Sequence, residues 1–265
     1  MGHTRLGWVP KTKKWSAVVE QMSSGMGSGT ALVEDIASIA QLTLRAAERG
    51  IETAIGDKRL TYVFYLLTQI VLSSRQENWQ QQLAEHGISL SKESSCFDLV
   101  SEMHTAADAQ MASEQYSSDV GELAQKSAGE TLAEMIAPKA TTLFGSGRDE
   151  LQSAVRQLST KAGFARLGQK FFGKFLSHYL NFYLSRITAH QTGSNRLSQI
   201  GEISEFNTTL ECHCEQSAAI VRDFCGGWVS KTEYQTGITT ENTSRFLAVA
   251  MRKLRDELVQ QETGQ

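Results

Sequence analysis

The chain has 265 residues, 40% of them hydrophobic, with 26 basic and 29 acidic side chains and a net charge of −3. That is enough apolar material for one large domain or two small ones, and the mere two prolines, Pro10 and Pro138, permit long helices. Four unevenly spaced cysteines argue against a disulfide framework, and the longest apolar run, LTYVFYLLTQIVL from Leu60 to Leu72, is too short and too polar to span a bilayer.

The N-terminal segment GHTRLGWVPKTKKW is basic and carries Trp8 and Trp15; a helix is predicted from after Pro10 to near Met22. SSGMGSGT is a connector, Thr30 N-caps a helix to about Arg49, and Gly50 stops it. Asp57 starts the helix that holds the apolar run, and another covers roughly 76–86, ended by Gly87. Ser95-x-x-Asp98 is a capping box that opens a helix to about Tyr116, and the next runs from about Ser118 to Ala137 and stops at Pro138. Ser146-x-x-Asp149 is a second capping box, before a helix to about Lys161 and a long one over 164–190.

TGSN then breaks the chain, 196–228 reads as another long helix, GGWVSKTEYQTGIT as a loop, and 241–261 as the last helix. No strand alternation stands out. The expected fold class is therefore all-α: a multi-helix bundle with long central helices and little or no β-structure. Residues 1–90 are read as an N-terminal helical subdomain with a basic leading segment and 91–265 as the main bundle, the two forming one continuous domain in the alternative division.

The sharpest local chemistry is LECHCEQSAAIVRDFCGGW, where Cys212, His213 and Cys214 are the metal candidates to be weighed. A helix turns about 100° per residue, so Cys212 and Cys214 point to nearly opposite sides and cannot grip one zinc. Ile200, Ile203, Phe206, Leu210, Cys214, Ala218, Val221, Cys225 and Trp228 step by three or four, which predicts one apolar stripe with Cys214 and Cys225 in the core and His213 on its flank as a hydrogen-bonded structural residue. No histidine has a glutamate three residues before it, and SSGMGSGTALVED lacks the Lys-Ser/Thr of a P-loop, so neither a di-iron bundle nor a nucleotide site is expected. Arg186 and His190, one helical turn apart, resemble the Arg-His pair of HEPN ribonucleases at a shorter spacing, and are the catalytic candidates. The resemblance implies RNA cleavage.

Charge is segregated along the chain. An acidic run from Glu93 to Glu134 includes Asp98, Glu102, Asp108, Glu114, Asp119, Glu122 and Glu130, opposed almost solely by Lys126. From 151 to 201 there is no acidic residue, while Arg156, Lys161, Arg166, Lys170, Lys174, Arg186 and Arg196 accumulate; Glu202, Glu205, Glu211 and Glu215 follow. Within the basic block, Phe164, Gly168, Phe171, Phe175, Tyr179 and Phe182 share one stripe and Arg166, Lys170 and Lys174 another. Three readings follow: a core helix neutralised by the flanking acidic helices, a membrane-interface helix, or a nucleic-acid footprint. Arg156, Lys161, Arg166, Lys170 and Lys174, with Trp228, Lys231 and Tyr234 of the expected loop, are the candidate binding residues for nucleic acid or a partner.

The leading expectation is a non-enzymatic cytoplasmic subunit or adaptor of a multiprotein complex, such as an accessory protein of a multi-gene bacterial system. It takes no cofactor, and its partner is another protein or a second copy of itself; a membrane partner is not expected. The alternatives are nucleic-acid binding through 156–196 and a HEPN-like ribonuclease.

Overall fold

The computed structural model describes residues 3–6, 13–23, 30–46, 51, 54–91, 93–140, 148–191 and 200–260. In chain order these form β1 (His3–Thr4), α1 (Lys13–Ser23), α2 (Thr30–Ala46), α3 (Lys58–Ser73), α4 (Trp79–Glu85), α5 (Cys96–Ser113), β2 (Ser117–Ser118), α6 (Asp119–Ala140), α7 (Arg148–Leu158), α8 (Lys161–Gln191), α9 (Ile200–Ser217), a 3-10 turn (Ala218–Val221), α10 (Arg222–Gln235) and α11 (Thr240–Gln260). The fold is all-α, with β1 and β2 a minimal parallel pair that ties His3 and Thr4 to Ser117 and Ser118.

Polar caps set the helix starts. The Asp57 carboxylate accepts the Leu60 N–H at 2.8 Å, satisfying one of the orphan donors of α3, and its second oxygen accepts the Tyr116 hydroxyl at 2.8 Å. At α5 the box closes both ways: Asp98 N–H donates to Ser95 Oγ at 3.3 Å and Ser95 N–H donates to the Asp98 carboxylate at 2.7 Å. Gly87 follows α4 at a φ of 79°, the left-handed conformation that lets the chain leave a helix. The connector at 24–29, Gly50, Ser146, TGSN and Arg196 lie outside the described residues.

Three expectations are corrected. Pro138 does not end its helix: α6 runs on to Ala140 with the exposed Pro138 in its last turn, where the missing N–H costs a single hydrogen bond. The single helix expected over 196–228 is two, α9 and α10, joined by the 3-10 turn of AAIV. GGWVSKTEYQTGIT is not a loop, since α10 carries it to Gln235. Gly226 is a packing residue there: a Cβ would sit 2.6 Å from the Lys161 carbonyl oxygen and 3.1 Å from the Ala165 Cβ.

The 31 residues of α8 make it about 46 Å long and the axis of the molecule. Phe164, Leu167, Phe171, Phe172, Phe175, Tyr179 and Leu180 are buried around more than one side of it, as a helix surrounded by others requires. It packs chiefly on α6, α9 and α10, with α2 and α7 beside it. Gly168 and Gly173 let its neighbours close in, for a Cβ at Gly168 would be 2.4 Å from Cys225 Sγ and one at Gly173 2.8 Å from the Glu215 Cα. Phe64 of α3 sits among Phe171 at 5.1 Å, Phe172 at 5.6 Å, Phe246 at 5.4 Å and Trp228 at 6.1 Å between ring centres. The buried hydrophobics, from Trp15 to Leu254, form one connected cluster.

Candidate docking groove

Helices α5 and α6 pack on each other and both lie on α3, whose Arg59 rises between them. The stem of Arg59 crosses Gly121, where a Cβ would come within 2.4 Å of the arginine's own Cβ. Its Nε donates to Gln125 Oε1 at 3.1 Å, and its guanidinium also meets the Asp108 carboxylate. The arginine side chain is 11% exposed and the aspartate 59%, so a nearly buried cation is held by an anion that still faces water.

One turn up, His104 Nε2 lies 3.1 Å from the Gln125 carbonyl oxygen. A carbonyl can only accept, so Nε2 carries the proton and Nδ1 is the ring's acceptor. Burial lowers the His104 pKa, which keeps the imidazole neutral at pH 7. Gly129 makes room for this ring: a Cβ there would be 2.7 Å from Nε2 and 3.0 Å from Val100 Cγ1.

Between the two helices is a largely apolar hollow of about 450 Å³. Phe97, Val100 and His104 form one wall, Gln125, Gly129 and Ala133 the other, and Glu122, Lys126 and Glu130 the rim. Phe97 is 70% exposed, against a fold whose other phenylalanines with described side chains are buried or half-buried. The charges that line the hollow balance, Glu122 and Glu130 against Arg59 and Lys126, although the two helices as a whole are acidic. Asp98, Glu102, Asp108, Asp119, Glu122, Glu130 and Glu134 come from α5 and α6, against Lys126 and Lys139. Lys126 itself is 3.9 Å from Glu130.

Behind α6, the basic block of α8 closes an ionic seam. Lys170 bonds Glu134 at 2.6 Å and Glu215 at 2.9 Å; Lys174 bonds Glu134 at 3.0 Å and Glu211 at 2.7 Å; His178 bonds Glu130 at 2.7 Å. The hydrogen bond from His178 leads the causes that hold the Glu130 carboxyl below its ordinary pKa. Burial would raise Glu134, but the hydrogen bonds and charges of Lys170 and Lys174 together outweigh it and the net direction is down. Burial likewise opposes the charged form of both lysines, and the glutamates reverse it, so their pKa values are raised.

The candidate binding residues therefore divide. Lys170 and Lys174 are engaged within the bundle, as the core-helix reading of the block requires, and of its aromatic stripe Phe164, Gly168, Phe171, Phe175 and Tyr179 are buried and Phe182 is half-buried, which counts against a membrane-interface helix. Arg156, Lys161, Arg166 and Lys231 are exposed, with no ion pair among the described residues. Trp228 and Tyr234 belong to α10 rather than to a loop. The Trp228 ring stacks on Phe246 at 4.3 Å, whereas Tyr234 is 92% exposed.

Cys212 is exposed, and Cys214 and Cys225 are fully buried, so the stripe continues through the 3-10 turn and CHC does not converge. Among the described residues no group of three His, Cys, Asp or Glu side chains gathers at metal-binding distance. His213 is buried, and it differs from the hydrogen-bonded residue expected: its Nε2 has no partner among the described residues, and neither does Ser217 Oγ one turn on. Arg186 and His190 lie on the backbone of α8, but their side chains fall outside the described set.

No known protein family matches the sequence. No curated protein matches it either. No solved structure matches the fold. The groove residues Phe97, Val100, His104 and Gly129 were not singled out by sequence reasoning. The signal that pointed toward them was the uncompensated acidic run from Glu93 to Glu134.

Proposed function

We propose that this chain is a non-enzymatic subunit or adaptor of a multiprotein complex, and that it docks a partner protein in the groove between α5 and α6. The observation that carries the reading is Phe97, a large apolar side chain 70% exposed at the mouth of an apolar hollow of about 450 Å³. An exposed aromatic beside a preformed depression is the pattern of an interface anchor, since closing it removes apolar area from water. The groove's polar floor is already satisfied by Arg59, Asp108 and Gln125, so a partner need not supply buried charge.

Size-exclusion chromatography with mass detection on native extracts tests this. The wild-type chain should run in an assembly heavier than its own 29.2 kDa, and Phe97→Asp should run alone. A wild-type chain found only as a solitary monomer would remove the proposal.

A second reading has one observation in its favour: Arg156, Lys161, Arg166 and Lys231 remain exposed and outside the ionic seam. Cations free of internal partners are available to phosphates. Salt-sensitive retention on heparin, reduced when Arg156, Lys161 and Arg166 become Glu, supports nucleic-acid binding. Retention unchanged in that triple variant dismisses it.

A further inference from the structure

Residues 3–6 meet the bundle chiefly through polar contacts. They run beside β2 and the first turn of α6, with His3 opposite Ser117 and Thr4 opposite Ser118. His3, Thr4 and Arg5 are exposed, and Leu6 is half-buried against the core. A segment that buries so little apolar surface depends on its hydrogen bonds to stay in place.

Those bonds converge on one side chain. Asp119, the first residue of α6, directs its two carboxylate oxygens at two different residues of the segment. Its Oδ1 is 2.5 Å from His3 Nε2, and its Oδ2 accepts the Leu6 N–H at 2.9 Å. An ionised carboxylate can only accept, so Nε2 carries a proton. His3 Nδ1 lies 2.7 Å from Ser117 Oγ. A hydroxyl both donates and accepts, so that contact persists whether the ring is neutral or charged. On the far side, the Tyr183 hydroxyl of α8 donates to the Leu6 carbonyl oxygen at 3.1 Å.

The anchor is held without the segment. Ser118 Oγ accepts the Gly121 N–H at 3.0 Å, which caps α6 from within the chain that leads into it. Gly121 packs against the Arg59 stem, and Ser118 and Val120 are buried, so α3 and the core fix this turn of α6. The dependence in the other direction is strong. Without the Asp119 carboxylate, His3 Nε2–H and Leu6 N–H both lose their acceptor. The His3 and Asp119 side chains are 30% and 20% exposed, so water competes for their contact from one side.

We infer that residues 3–6 form a strap that opens and closes on the bundle as a unit, with the Asp119 carboxylate as its two-point clasp. Opening leaves the core cluster packed and releases Ser117 Oγ, the Asp119 carboxylate and the Tyr183 hydroxyl from their partners in the strap. Asp119 acts as a positioning residue for the strap. This goes beyond the docking role and does not depend on it, since the strap and the mouth of the hollow at Phe97 share no residue.

Amide hydrogen exchange on the full chain, read residue by residue by NMR, provides the test. In the wild type the Leu6 amide should exchange about 10-fold or more slowly than an unstructured amide, yet far faster than the Phe171 amide of α8. Asp119→Ala removes both acceptors, and should bring Leu6 close to the unstructured rate while Phe171 is unchanged. His3→Ala, at an exposed residue outside the core, should accelerate Leu6 by a smaller factor, and it decides the matter if Asp119→Ala does not fold. Leu6 exchanging at the unstructured rate in the wild type overturns the inference, because nothing then holds the strap. Leu6 rates unaltered by the variants overturn the clasp. Leu6 and Phe171 accelerating together also overturn it, because the segment then leaves only when the bundle unfolds.

Discussion

Gly226 and Gly227 are adjacent in α10, and their replacement by alanine separates two accounts of the GGW segment. In a helix, Gly→Ala stabilises by about 0.5–1 kcal/mol, because glycine loses more backbone freedom on folding. At Gly227 nothing lies within 4 Å of a new Cβ, so the gain should appear in full. At Gly226 the same Cβ would be 2.6 Å from the Lys161 carbonyl oxygen, 3.2 Å from its Cγ and 3.1 Å from the Ala165 Cβ. Ordinary contacts are about 3.5–4.0 Å, so α10 must retreat from the first turn of α8 by several tenths of an ångström. Such overpacking costs about 1–3 kcal/mol, which outweighs the propensity gain and leaves a net loss of about 1–2 kcal/mol. Urea denaturation at constant m-value reads both: the midpoint should rise for Gly227→Ala and fall for Gly226→Ala. Equal shifts of the same sign would refute the packed helix and restore a loop.

Three further outcomes follow from the same geometry. Gly121→Ala places a Cβ 2.4–2.6 Å from the Cβ, Cγ and Cδ of Arg59, so it should displace that stem from Gln125 and Asp108 and destabilise by about 2–4 kcal/mol, visible as a thermal midpoint several degrees lower; an unchanged midpoint would deny the Arg59 network. A thiol reagent should label Cys212 alone in the native chain and reach Cys96, Cys214 and Cys225 only in denaturant, since burial pushes those three thiols up in pKa; native labelling of Cys214 or Cys225 would contradict their placement in the core. Burial also lowers His213 below its ordinary 6.5, so as the pH falls the unfolded chain takes up the proton first, and stability present above pH 6.5 declines below it. Denaturation midpoints at pH 7.5 and 5.5 should therefore differ less in His213→Leu than in the wild type, and identical drops would free His213 of that role.

The helices were legible because their signals are local. Asp57, Ser95 and Gly87 act within one turn, and the step of three or four from Phe206 to Cys225 needs no knowledge of partners. The GGW segment misled for the opposite reason: whether a glycine stops a helix or packs against a neighbour depends on the Lys161 carbonyl, 65 positions away in sequence. Pro138 misled for a local reason: so near a helix end a proline costs one hydrogen bond, which the helix can bear, so the residue type alone does not say whether the helix stops before it or two residues later.

The groove was half legible. The acidity of its two helices stands in the sequence as a charge run, but the pairing of Lys170 and Lys174 with flanking glutamates was one of three readings that the charge pattern left open, and both lysines also stood among the candidate binding residues. The hollow itself was not legible, since Phe97 near the start of α5 reads as core by type and is exposed only because Leu99 and Met103 take the inward positions of that turn.

The central claim is that the surface around Phe97 meets another protein. A photo-cross-linking amino acid placed at Phe97, and in a separate chain at Gln157 on the exposed face of α7, tests it in native cells. The account predicts a discrete protein adduct from position 97 that position 157 does not give. No adduct at 97, or the same adducts from both positions, would contradict it.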